Sequence, residues 1–243
     1  MSAQALLLAA LALPGVLAGQ IPRYDVRHLD SAVFVERVHS EITTQSGTAE
    51  RHRSVNRMVQ YSLAGHADTV VATSDTVSLN ENADGVVTDV DVDAVTGARW
   101  AFLLDAHGTA TMLDSPVVPR SVADVSDLGT AMDDFFPPSP PRVGVDAYPV
   151  DSSGRQWHRL ADSAGTERYH YSGTRNDANR ISSSDSVRVE STTAVTESAD
   201  FAWDPQRGPL AWNRQILTVV TTHFAGRTVR ANVEQRVVVR RIH

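Results

Sequence analysis

Apolar residues recur at every second position along several stretches of this chain. Between Val229 and Val239, the residues Val229, Ala231, Val233, Val237 and Val239 fall on one side, and Arg230, Asn232, Glu234, Arg236 and Arg240 on the other. Successive side chains of a strand point to opposite faces, so the pattern predicts a strand with one buried and one wet face. Val55, Val59, Tyr61 and Leu63 form a second set, interrupted by Arg57. Val86 to Asp93 alternates too, and Val187, Val189 and Val195 oppose Arg188, Glu190 and Thr192. Ile216 to Phe224 is apolar or Thr on both sides, which predicts a more central strand. In the region 31–44, Phe34, Val38 and Ile42 also fit a helical stripe, but the abundant β-branched residues there favour a strand.

Turn dipeptides separate these runs: Ser46-Gly47, Ala64-Gly65, Asp84-Gly85, Thr96-Gly97, Ser153-Gly154, Ala164-Gly165, Arg207-Gly208 and Ala225-Gly226, with Asp105-Ala106-His107-Gly108 as a longer one. Short strands with such turns between them indicate an antiparallel meander, sandwich or open barrel. One segment, about 121–136, reads as a helix. Ser121 can cap it with Asp124 three residues on, and Val122, Val125, Leu128, Met132 and Phe135 follow at spacings of three and four. The proline run at 137–141 ends it. That run also divides the chain into two parts, whose faint echoes (Gly47 to Arg51 with Gly165 to Arg168) turn chemistry explains at least as well as duplication does. The expectation is one β-rich domain over 20–243, with a possible two-part organisation split near 137–141.

The first nineteen residues are of a different kind. Ala5 to Leu17 is apolar apart from Pro14 and Gly15, and small residues follow at Ala18 and Gly19. The run suits the core of an export signal and is short of the ~20 apolar residues that span a bilayer. A signal peptide over 1–19 is expected, hence a periplasmic or secreted protein with no transmembrane segment after cleavage. Leu17-Ala18-Gly19 resembles the tripeptide before a lipidated cysteine, but position 20 is Gln20.

Composition then removes whole classes of chemistry. The chain has no Cys, which excludes disulfides, thiol catalysis and cysteine metal sites. All 22 basic residues are Arg, so no lysine is available for Schiff-base chemistry or a phosphate-binding P-loop. The net charge of -7 argues against a nucleic-acid partner. No cofactor motif is present.

A calcium loop is conceivable at Asn80, Asn82 and Asp84, with Gly85 sixth and Asp91 twelfth, but Asn opens it and Asp closes it where Asp and Glu belong. A polar hairpin closed by Asp84-Gly85 explains the same residues. Asp89, Asp91 and Asp93 share a strand face and read as a solvated stripe. The nine histidines lack metal-ligand spacing. There is no nucleophile-elbow pattern, although a dispersed Ser-His-Asp hydrolase site is not visible to sequence. Trp100, Trp157, Trp203 and Trp212 read either as the lining of a cavity or, as the better default, as core residues.

The layout of export signal, long antiparallel strands, a central helix ending in Phe135-Phe136-Pro137, a strand around Trp157, a Trp203-Asp204 to Gly208 turn and closing hairpins resembles the LolA/LolB-like superfamily of bacterial envelope lipid and lipoprotein carriers. The resemblance is one of layout, and no functional residue carries over. It implies an open barrel or strongly curved sheet with the helix packed on its concave face. It also implies a cavity lined by Val122, Val125, Leu128, Met132 and Phe135. Such a cavity suits a lipid or other apolar ligand bound without catalysis. The alternatives are a structural or protein-interaction module of the cell envelope, with a filled core and an exposed apolar patch, and the dispersed hydrolase.

Overall fold

The computed structural model describes residues 22–140, 149–163, 165–183, 187–224 and 226–243, so the expected signal peptide lies outside the described residues. The strands are β1 (Val33–Ser46), β2 (Ala49–His66), β3 (Thr69–Ala83), β4 (Val86–Asp89), β5 (Arg99–Leu104), β6 (Ala110–Asp114), β7 (Gln156–Ser163), β8 (Thr166–Ser183), β9 (Val187–Asp204), β10 (Gly208–Phe224) and β11 (Arg227–Arg241). All belong to one antiparallel sheet in the order β6-β5-β3-β2-β1-β11-β10-β9-β8-β7, with β4 attached to β3. The sheet does not close, because β6 and β7 end it on opposite sides. The mainly β, open antiparallel architecture expected from alternation is what the chain adopts.

Hairpin connections account for most of this topology, and turn chemistry sets their register. Asp84 and Gly85 have φ of 50° and 90° and join Ala83 to Val86 as a two-residue turn, the pair of positive angles that lets two strands return without splaying. Gly65 differs from the expectation. It lies inside β2, paired with Val70, and the turn falls at Ala67-Asp68. Its glycine serves a close approach instead: a Cβ there would sit 2.4 Å from the Val26 carbonyl oxygen. β4 is shorter than the alternation of Val86 to Asp93 suggests, and its residues are exposed.

The segment expected as one helix keeps its place and shortens its helix. Only Arg120–Ala123 (α1) is α-helical, and Leu128–Thr130 forms a 3-10 turn. Ser121 lies inside α1, and the N-cap is Pro119, without a side-chain cap bond. Ser126, Asp127 and Gly129 are poor helix formers, and Asp127 is drawn to Arg57 on the sheet. Burial of the apolar residues fixes the path of the segment, which we call the cover segment. No described helix is long and apolar enough to cross a membrane.

Register places the core on one sheet face. Val38 on β1 pairs with Arg57 on β2 and Val237 on β11; Val237 pairs with Arg214 on β10, and Arg214 with Ala199 on β9. Alternation from these positions carries Phe34, Tyr61, Trp212, Phe201 and Val239 inward as well, and all are buried. The cover segment presses Phe135 and Phe136 into this face. Phe135 stands edge-on to Tyr61 at 5.4 Å and to Trp212 at 5.2 Å, ring centroid to centroid. All four tryptophans are buried, as expected of core residues.

Candidate binding face

Three arginines fasten the cover segment across the sheet. Arg53 on β2 donates to the Asp124 carbonyl at 3.0 Å, and Arg57 pairs with Asp127. On β10, Arg214 Nη1 donates to the Asp134 carboxylate and carbonyl, each at 3.0 Å. The segment thus crosses the inner face above the rows containing Phe34, Glu36 and Val38.

Two polar networks lie under and beside it. In the first, buried Arg57 donates to buried Glu36 at 3.1 Å, and Tyr61 Oη donates to the same carboxylate at 3.4 Å. Burial raises the Glu36 carboxyl above its ordinary value, outweighing Arg57. Burial alone would lower the Arg57 guanidinium, but Glu36 and Asp127 hold it above its usual range, so it stays charged. In the second, Glu197 accepts from Tyr171 Oη at 2.5 Å and Arg214 Nε at 3.0 Å, and Arg155 lies 3.6 Å away. Burial raises the Tyr171 hydroxyl well out of the physiological range. Each network joins a tyrosine hydroxyl, a carboxylate and at least one arginine at the seam of sheet and cover.

Of the residues expected to line a cavity, Val122, Leu128, Met132 and Phe135 are buried in the common apolar core, and Val125 is half-buried against it. The structure brings them together, but around aromatic side chains of the sheet. The depressions around Asn213, Gln215, Met58 and Arg227 are lined by other residues than these five.

Of the calcium candidates, Asn80 and Asn82 lie on β3, Asp84 in the turn after it and Asp91 beyond β4. Asn80 Oδ1 accepts from Asn56, Asn82 Oδ1 from the Gly85 amide, Asp84 Oδ1 from the His52 amide and Asp91 Oδ1 from the Asp93 amide. Each oxygen serves its own turn or strand. Among the described residues, no group of three or more His, Asp or Glu is placed to hold a metal ion.

Beyond the cover segment, the inner face continues toward the hairpin tips. One row across the strands holds Ile42, Val233, Thr218 and Val195; the next holds Thr44, Ala231, Val220 and Thr193. All eight are half-buried. This apolar and hydroxyl lane spans β1, β11, β10 and β9. Arg53 and Arg51 stand beside it on β2, paired in register with Ile42 and Thr44. The alternation of β11 marks Val229, Ala231 and Val233 as inward. What alternation alone could not supply is where the cover segment lies: among the described residues its polar and ring contacts reach Phe34, Arg53, Arg57, Tyr61, Trp212 and Arg214, none of them in the lane.

No family model matches the chain, and no curated protein is similar to it. Among solved structures, the crystal structure of Pseudomonas aeruginosa OpdQ is similar at a TM-score of 0.29 and 8% identity, covering 88% of this chain and 100% of that chain. Likeness at that level supports no inference about this chain.

Proposed function

We propose that this chain is a non-catalytic binding protein of the cell envelope whose ligand is a lipid or another apolar molecule, held on the uncovered lane of the inner sheet face. The observation that carries the reading is the continuation of the core face, as Ile42, Val195, Thr218, Val220, Ala231 and Val233, past the end of the cover segment. Removing such a surface from water is favourable and needs few directional bonds, which suits an acyl chain. The Thr hydroxyls and the flanking Arg51 and Arg53 give a polar or anionic end of the ligand a place to lie. The LolA/LolB-like layout of the sequence points the same way.

A second reading, a protein-interaction module of the envelope, draws on a different observation. The core beneath the cover segment is filled by Phe135, Phe136, Trp212 and Tyr61, so the remaining apolar surface is an open face. A flat partner suits an open face as well as a ligand does.

Native mass spectrometry of residues 20–243, prepared without detergent and incubated with phospholipid vesicles, separates the two. Adducts at fatty-acid or phospholipid mass, reduced in Thr218→Asp/Val233→Asp, support the lipid reading. A clean protein mass before and after incubation overturns it in favour of a protein partner.

A further inference from the structure

The opposite, outer face of the sheet carries a second constellation. Val238 of β11 pairs in register with Arg37 of β1 on one side and Asn213 of β10 on the other. Arg236 and Arg240 flank Val238 on its own strand and face. Arg37 therefore stands diagonally between them, about 7–8 Å from each by the ordinary spacing of a sheet. All three arginines are exposed. None makes an ion pair or side-chain hydrogen bond with a described residue, whereas Arg53, Arg57, Arg155, Arg159 and Arg214 are all paired.

Two depressions meet here. One, of about 230 Å³, is lined by Arg236, Val238, Arg240 and Asn213; the other, of about 360 Å³, by Arg37, Val238 and Arg236. The Asn213 side-chain oxygen is buried and has no hydrogen-bond partner. A buried acceptor left unmatched costs free energy unless a donor reaches it. Acidic groups are near but partly engaged: Asp200 with His170 at 2.9 Å, and Glu41 with His39 at 3.2 Å, while Glu234 lies two residues before Arg236 on the same face.

We propose that this outer site binds an acidic saccharide. Its carboxylates would be taken by Arg37, Arg236 and Arg240, with the ring hydroxyls toward Asn213, whose amide would turn to meet them. Guanidinium forks match carboxylates bidentately, and three of them, with Arg37 about 7–8 Å from each of the others, suit several carboxylates carried on one scaffold better than a single small anion. The floor at Val238 is small and apolar, in keeping with a sugar's C–H face.

The test is calorimetric titration of the full mature chain with tri-galacturonate at low salt, with maltotriose, inorganic phosphate and phosphatidylglycerol vesicles as the comparison arms. The expected result is saturable binding of tri-galacturonate, weakened by salt. Affinity should fall about tenfold or more in Arg37→Gln or Arg236→Gln. These residues are exposed, so circular dichroism of the variants should be unchanged. Asn213→Ala should lower affinity for the saccharide, and Leu113→Asp, at an exposed position of the distant edge strand β6, should leave it unaltered. No saturable binding of tri-galacturonate, equal affinity for phosphate, binding to the vesicles alone, or affinity indifferent to both arginine substitutions would each overturn the proposal.

Discussion

Glu36 and Arg57 meet on adjacent strands beneath the cover segment, 3.1 Å apart, with side chains only 5% and 4% exposed. A buried pair of this kind adds little net stability against a well-packed apolar pair, yet breaking it strands a charge. Arg57→Met should therefore cost about 3–5 kcal/mol in urea unfolding, and Glu36→Leu/Arg57→Met should recover most of that loss. In Arg57→Met the unpaired Glu36 has a folded pKa raised further above its unfolded value. The variant should then be more stable near pH 4.5 than near pH 7, losing stability as pH rises through the folded value. A single-variant cost under about 1 kcal/mol would mean that the pair is open to water.

This pair also shows where sequence reading stops. Alternation along Val55, Val59, Tyr61 and Leu63 put Arg57 on the inward face, where it looked like an interruption. Glu36 has the inward parity of Phe34 and Val38 on β1. The register that sets Glu36 opposite Val59 and Val38 opposite Arg57 makes Glu36 and Arg57 diagonal neighbours, and register is a tertiary fact that one strand's pattern does not contain. The cover segment was legible as an apolar stripe at spacings of three and four. Its path was not, because the partners that hold it, the aromatic core around Phe135 and the arginines Arg53, Arg57 and Arg214, lie on the sheet.

Phe135 stands within ring contact of Phe34, Tyr61, Phe136 and Trp212. Truncating it opens a void that surrounding rings cannot fully close. Phe135→Ala should cost about 3–5 kcal/mol in chemical unfolding, whereas Phe135→Leu should cost clearly less. If the alanine variant is as stable as the parent, the ring does not hold the cover segment down.

Gly65 marks the place where the chain before β1 crosses β2. An added Cβ would lie 2.4 Å from the Val26 carbonyl oxygen and 2.9 Å from its side chain. Gly65→Ala should lower stability by about 1–3 kcal/mol through forced backbone movement. At Gly173 the nearest atom is an Arg155 side-chain carbon at 3.2 Å, and Gly173→Ala should be milder. Thermal unfolding of the two variants side by side gives the comparison.

Asp151 anchors the Trp157 indole. Burial of its carboxyl opposes ionisation, but hydrogen bonds from Trp157 Nε1 and the amides of Arg155 and Ser153, with the Arg155 charge, hold it below its ordinary 3.8. The unfolded chain protonates first as pH falls, so the stabilisation is present above that value and is lost as pH drops through the folded one. Asp151→Asn should lower the melting temperature at pH 6, with the difference shrinking by pH 3. A difference constant with pH would show that the charge is immaterial.

The binding claim rests on the lane, and methyl-resolved NMR addresses it residue by residue. With valine and isoleucine methyls labelled and oleate added, Ile42, Val195, Val220 and Val233 should shift saturably, while Val59, deep under the cover segment, and Val122, buried within that segment, stay in place. Unmoved lane methyls, or shifts confined to the core under the cover segment, would contradict an apolar ligand on the uncovered face.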